Sequence, residues 1–457
     1  MATLFHYIDQ VKEIALTPDN LNEVDILIIN ELTYLPFDLY LSPKNNYQNP
    51  KMLYDLFKEY QLNSKLHHIE NAILVTEKRY KLFEKVAEAP RYRDISVFNF
   101  VNHFSEKNNK QFCALTYRLP GNQLLVSYRG TDDTLVGWKE DFKLAYEEDI
   151  PSQLEAKKYI SSIIKEVAED ALMISGHSKG GNLALIAGLS LPTDVIETRL
   201  LHLYLFDSPG LTASQIHLPE YQALKPYIYR YIPEDSVVGK MMFHDIKPII
   251  VKSNHISVFQ HDIMHWRIQD TQIERTTQTT DASNIIDRTL KQWCNQYSAT
   301  ELATFFDFGF QLLELAGAKT LNDISKDLLD FIKKVNLVKA DIDNEKKEQF
   351  MTIGNQLLAI WKENYHQHQK EKIHSIHTDV SYFFENLSDK TRDTFNLDQI
   401  SEKLPQSLKL TNLEQLTDKL PSKLSLNPVD GISHRISSKL NIDVFADWLE
   451  NFNQNKN

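Results

Sequence analysis

The sequence predicts an α/β fold, a mostly parallel sheet flanked by helices, with helical extensions before and after it. Two observations carry this. Residues 1–120 contain no glycine, whereas nine of the 13 glycines lie between Gly121 and Gly239. Tight turns and close backbone approaches are therefore concentrated in the middle of the chain. In that same region short apolar runs of strand length alternate with helical patterns, the signature of strands buried on both faces by crossover helices. A chain of 457 residues is too long for one ordinary core, so more than one domain is expected.

The elements follow in order. Residues 1–90 read as a helical N-terminal extension: KMLYDLFKEYQ and AILVTEKRYKLFEKVAEA carry helical spacing. VDILIINELTYLPFDLY is too densely apolar for its period to be read. The core is expected over 91–280. QFCALTYRL and NQLLVSYRG form a hairpin around Pro120-Gly121-Asn122. LEAKKYISSIIKEVAED is a helix, ALMISG a strand and GNLALIAGLSL a buried helix. LLHLYLF, PYIYRYI and KPIIVKS are three further strands. A helical region follows over 281–380, where Ser298 and Glu301 make a capping box opening LATFFDFGFQLLELAG. LNDISKDLLDFIKKVNLV and EKKEQFMTIGNQLLAIWKENYHQ are further amphipathic stretches.

Residues 381–457 hold three amphipathic repeats of period 16. Leu397, Leu413 and Val429 correspond, as do Leu404, Leu420 and Ile436. Pro405 and Pro421 each end a short helix. No unit can bury its apolar stripe alone, so the repeats are expected to pack on the helical region or on each other.

Composition narrows the function. A net charge of −12 argues against nucleic acid as the main partner. No run approaches the roughly 18 apolar residues of a spanning helix, which leaves peripheral membrane contact open. Two cysteines support neither a disulfide framework nor a cysteine-based zinc site, and no signal peptide is read at the N-terminus. A cytoplasmic protein without metal or cofactor is expected.

The chemistry centres on Gly176-His177-Ser178-Lys179-Gly180, a G-x-S-x-G pattern. The expected strand before it and helix after it give the strand–turn–helix of a nucleophile elbow. Ser178 then stands at a helix N-terminus, where backbone N–H groups favour a developing oxyanion. The bland alternative is a Gly-Ser turn feeding a helix.

A serine hydroxyl needs a base, and the base an orienting carboxylate. Asp235 follows YIYRYI and is the preferred acid. Asp207 follows LLHLYLF and is the alternative, with a turn role in DSPG as its other reading. Of the histidines after KPIIVKS, His261 is preferred as base, with His255 second; His177 is inside the elbow. For the oxyanion hole the candidates are the backbone N–H of Lys179 and the N–H or hydroxyl of Thr131, next to Gly130.

These segments carry a resemblance. VSYRGT with Trp138 and Asp141, then GHSKGGNLA, FDSPG, PEDSVVG and the segment Gln260-His261-Asp262 with Trp266 resemble the class 3 lipase branch of the α/β-hydrolases. The similarity is closest to a bacterial family of lipase-like proteins without an assigned activity. It covers roughly residues 20–340 and is strongest from 111 to 270. The resemblance implies an α/β-hydrolase fold, a Ser178–Asp235–His261 triad and an oxyanion contribution from Thr131. Lipases of that branch usually have leucine after the nucleophile, where this chain has Lys179. A cation there suits an anionic substrate or points to solvent.

The expected function is hydrolysis of a carboxylic ester, lipid-like or small, through an acyl-enzyme. A catalytically silent scaffold, or a thioesterase or peptidase on the same triad, is the alternative. Residues 132–153, with Leu135, Val136, Trp138, Phe142 and Leu144 among many acids, are a lid over the site or a fixed surface helix.

Overall fold

The computed structural model describes residues 2–62, 77–132, 134–168, 170–320, 323, 334 and 344–385. The period-16 repeats lie outside these residues, as does most of the stretch 321–338. Met1–Gly354 form one compact unit and Asn355–Asn457 a second.

The centre of the first unit is a nine-stranded sheet of order β1-β2-β3-β4-β5-β6-β7-β8-β11. β3 (Lys110–Leu119) and β4 (Gln123–Tyr128) form the expected antiparallel hairpin. Gly121 and Asn122 both sit at positive φ in its turn, the backbone that a tight hairpin requires. From β4 the strands run parallel through β5 (Ala171–His177), β6 (Leu200–Phe206), β7 (Ile228–Pro233) and β8 (Ile249–Val251). β1 (Lys51–Met52), β2 (Ser96–Ser105) and β11 (Arg275–Thr276) are antiparallel additions at the edges, while β9 (Ile268–Gln269) and β10 (Gln272–Ile273) pair in a separate two-stranded sheet. This is the α/β-hydrolase arrangement, a largely parallel sheet with helices on both sides. The strand SVFNFVNHFS was not foreseen: its apolar residues do not alternate cleanly, and the ladder slips between Phe98 and Val101 with Asn99 at positive φ.

Two cores cover the two faces. On one, Leu124, Val126, Leu172, Ile174, Leu203 and Leu205 pack under α6 (Pro151–Glu166) and α7 (Lys179–Leu189). On the other, alternate residues Leu125, Met173, Tyr204 and Phe206 pack under α1 (Leu4–Val11), α2 (Glu23–Leu32) and α4 (Glu77–Glu88). Period-two side chains of a strand point to opposite faces, so each strand feeds both cores. The N-terminal helices, expected as an extension, thus cover this face together with Ile263, Met264 and Trp266 from the segment after β8.

That role accounts for the unreadable period of VDILIINEL. Every residue of α2 from Val24 to Leu32 is buried. Its polar members find partners inside the fold, although Asn30 Nδ2 and Glu31 Oε1 have no hydrogen bond among the described residues: Asn30 Oδ1 accepts from the hydroxyls of Ser127 on β4 and Ser175 on β5, both at 2.9 Å. Asp25 takes Arg91 at 2.6 Å and the Tyr92 hydroxyl at 2.8 Å. Glu31 takes Arg79 at 2.6 Å. Beyond the sheet, α10 (Asp281–Cys294) and α11 (Ala299–Leu315) follow, the latter opened by the expected Ser298–Glu301 capping box. A last helix runs over Asn344–Glu385. Among the described residues no helix is long and apolar enough to cross a membrane.

Candidate active site

Ser178 is the first residue after β5 and the N-cap of α7, with φ 58° and ψ −134°. A non-glycine residue in that backbone region is strained, and the surroundings hold it there. Its N–H donates to the Phe206 carbonyl at 3.0 Å, and its carbonyl accepts from Gly181 at 3.0 Å. The glycines of the elbow are required by contact rather than by φ. A Cβ on Gly176 would stand 2.1 Å from the Gly180 carbonyl oxygen, and one on Gly180 would stand 2.2 Å from that of Tyr128. Strand and helix can cross this closely only without side chains.

Asp207 is the first residue after β6, the neighbouring parallel strand. It too has positive φ, 41°, and its N–H is held by the Tyr231 carbonyl at 2.8 Å. His177 pairs with Phe206 across the ladder, so Ser178 and Asp207 leave the sheet side by side at its carboxyl edge. His261 bridges them. Its Nε2 lies 2.9 Å from Ser178 Oγ and its Nδ1 lies 2.6 Å from Asp207 Oδ2. Asp207 is 1% exposed, and its other oxygen accepts from the Ser236 hydroxyl at 2.5 Å and Gly239 N–H at 3.0 Å.

Asp235, the acid expected from sequence, makes no hydrogen bond to His261; the carboxylate beside Nδ1 is that of Asp207. Asp235 follows β7, one strand farther from the nucleophile. Its carboxylate accepts from Ser257 N–H at 2.7 Å, Gln260 Nε2 at 3.0 Å and the Thr280 hydroxyl at 2.6 Å. Gln260 Oε1 in return accepts from Asp235 N–H at 3.0 Å. Asp235 therefore anchors the loop on which His261 rides. The signal for Asp207 was present: LLHLYLF ends directly in Asp207 as ALMISGH ends in Ser178. Adjacency to the strand that ends at Ser178, not the count of strands, places this carboxylate beside His261. His255 stacks on His265 with ring centres 3.6 Å apart and makes no contact with Ser178.

The expected oxyanion donors need correction in detail. The Thr131 hydroxyl donates to Asp141, so only its backbone N–H is available. The Lys179 ammonium neither faces a substrate nor reaches solvent. It is 1% exposed and meets Gln111 Oε1 at 3.0 Å, Glu140 at 3.1 Å and Asp141 at 3.3 Å. Burial opposes that charge, but Asp141 and Glu140 outweigh it and hold the lysine pKa above its ordinary value. The Lys179 N–H, first of α7, has no partner within the helix. Gly130 lies against the elbow, where an added Cβ would be 3.1 Å from Ser178 Cβ.

Glu140 also ties α5 (Leu135–Lys143) down, accepting from the N–H groups of Gln111 and Ser152, each at 2.9 Å. Phe142 stacks near Phe306 of α11 at 4.6 Å between ring centres. Through these contacts α5 is packed against β3, α6 and α11.

Sequence reasoning missed what stands behind the histidine. Tyr34, just after α2, accepts from Gly130 N–H at 3.2 Å and bonds His177 Nδ1 at 3.1 Å. His177 Nε2 reaches the His261 carbonyl at 2.9 Å. Because only an N–H can bond a carbonyl, Nε2 carries the proton and Nδ1 accepts from the tyrosine. Burial first, then the neighbouring His261 and Arg79, push the His177 pKa well below its ordinary value. A neutral histidine therefore supports the loop of the other one. No run of residues encodes this contact between positions 34, 177 and 261. Among the described residues no group of His, Cys, Asp and Glu could hold a metal ion.

Residues 86–311 match the Mbeg1-like family model. The matched segment includes Ser178, Asp207 and His261. It begins inside α4, so α1 and α2 precede it. Comparison with curated proteins gives no match. Among solved structures, similar chains include two propeptide complexes of Rhizomucor miehei lipase. One, a deletion mutant, is 14% identical and covers 51% of this chain and 69% of its own, with TM-score 0.29. The native complex is 15% identical over 44% and 67%, with TM-score 0.28. A lipase from Rhizopus microsporus var. chinensis is 12% identical over 53% and 82%, with TM-score 0.27.

Proposed function

We propose that the chain is a serine hydrolase of the class 3 lipase-like kind, cleaving carboxylic esters through an acyl-enzyme on Ser178, His261 and Asp207. The supporting observation is the relay from Ser178 Oγ through both ring nitrogens of His261 to Asp207. In this reading Asp207 accepts a hydrogen bond from Nδ1–H and stays ionised, which leaves Nε2 unprotonated to take the proton of Ser178 Oγ as that oxygen attacks the ester carbonyl. The N–H groups of Lys179 and Thr131 meet the oxyanion. His261 then gives its proton to the departing alcohol, and the acyl group stays on Ser178. Water, deprotonated by the same nitrogen, releases the acid and restores the serine. Ile256 and Val258 stand 40% and 37% exposed on the loop that carries His261, which favours an apolar acyl chain.

The test is Ser178→Ala. The variant should fold, lose labelling by a fluorophosphonate and lose hydrolysis of p-nitrophenyl butyrate by orders of magnitude. Turnover close to wild type in the folded variant would overturn the reading.

A further inference from the structure

The far side of Asp207 leads to a second, separate feature. The Gly239 N–H that bonds Asp207 belongs to a residue whose carbonyl accepts from the Arg230 guanidinium. Arg230 lines a cavity of about 220 Å³ together with Lys240, His244, Thr279, Asp287 and Lys291. That is smaller than the roughly 300–1,000 Å³ of sites for drug-sized ligands, so it fits a small group.

Its charge is unusual for a chain of net charge −12. Three cations meet one carboxylate, Asp287, which is tied to Lys291 at 2.8 Å. Arg230 is 6% exposed, and its Nε has no hydrogen-bond partner among the described residues. The Lys240 ammonium donates only to neutral oxygens, Thr279 Oγ1 at 2.9 Å and Asn284 Oδ1 at 2.7 Å. Burial, helped by Lys291 and Arg230 against the pull of Asp287, lowers its pKa to about 8. An anion in the cavity relieves all of this at once: it takes the free N–H of Arg230 and offsets the crowded positive charge.

We propose that this cavity binds a phosphate-class oxyanion, held by Arg230, Lys240 and Lys291. The two positive charges left after Asp287 is counted match a phosphate of charge about −1.5 to −2 and exceed a single carboxylate. The phosphate comes either from a small phosphate compound or from the headgroup of a phospholipid.

The experiment titrates the full chain calorimetrically with inorganic phosphate and with glycerol phosphate. A parallel arm measures co-sedimentation with phosphatidylcholine vesicles, with and without phosphatidic acid. One-site binding is expected, weakened about tenfold or more by Lys240→Met and by Lys291→Glu. Lys240→Arg and Ser178→Ala should bind as wild type. Lys291 lies exposed on α10, so its variant tests the site even if Lys240→Met fails to fold. Phosphate binding in solution identifies a small-molecule ligand; binding only to vesicles with phosphatidic acid identifies a headgroup. Absence of binding in both arms, or binding unchanged by Lys291→Glu and Lys240→Met, overturns the proposal.

Discussion

Asp207 and Asp235 both stand near the loop of His261, and their partners separate them. Asp207 accepts from the ring, so an amide in its place would present an N–H₂ to Nδ1 and force the wrong tautomer. Asp207→Asn should lower kcat/KM on p-nitrophenyl butyrate by about 10⁴-fold, the scale of such an exchange in a serine protease. Asp235 accepts from two N–H donors on one oxygen and a hydroxyl on the other. An asparagine can keep the first oxygen and donate to Thr280 with its nitrogen. Asp235→Asn should therefore stay within about tenfold of wild type, a barrier change of roughly 1.4 kcal/mol. The opposite ranking of the two variants would return Asp235 to the relay. His177 makes a prediction of a different kind. Its folded pKa is depressed, so its stabilising contribution is present above the unfolded pKa of about 6.5 and is lost as pH falls below that value. Urea unfolding at pH of about 6.5 and about 5 should give a pH slope that is shallower in His177→Gln by about 1.4 kcal/mol per pH unit.

At the scale of the element, the elbow is a crossing of β5, β4 and α7 with no room for a methyl group. Gly180→Ala places Cβ 2.2 Å from a backbone oxygen, which no rotamer relieves. It should cost about 3 kcal/mol and remove fluorophosphonate labelling. Gly309 is the control. It lies within α11, where a Cβ would meet only the Phe350 ring, at 3.4 Å. Gly309→Ala should gain roughly 0.5–1 kcal/mol from helix propensity. Thermal unfolding of the two variants checks both signs. Equal effects would mean that the close approach at Gly180 does not decide the elbow.

At the scale of the whole molecule, residues 1–90 complete the hydrolase unit. Their described residues pack on one sheet face and hold two buried ion pairs, Glu31–Arg79 among themselves and Asp25–Arg91 with the residue that follows them. Arg91→Met strips the countercharge from Asp25, which is 0% exposed, and should cost about 3–5 kcal/mol as read by urea unfolding. The double variant Arg91→Met with Asp25→Leu should recover much of that loss, because an apolar pair has no charge to desolvate. No recovery would point to lost packing in place of lost charge. A chain started at residue 91 should be insoluble, since it exposes Leu125, Met173 and Phe206 from the sheet.

Local chemistry explains what was legible beforehand. The hairpin at Gly121, the elbow around Ser178, the strands ending at Phe206 and Pro233, and the Ser298 cap are each written in consecutive residues. Turn, cap and period are short-range effects, so the sequence by itself determined the α/β class and brought Ser178 and His261 forward as candidates. The Asp207–His261 contact, the buried partner of Lys179, the Tyr34–His177 support and the cationic cavity join residues up to 143 positions apart. Only the lateral order of strands decides which carboxylate stands beside His261, and only the packed sheet decides that α2 is buried on every side. Neither order nor burial has a local signature, because both arise from long-range contacts that form together when the sheet is assembled.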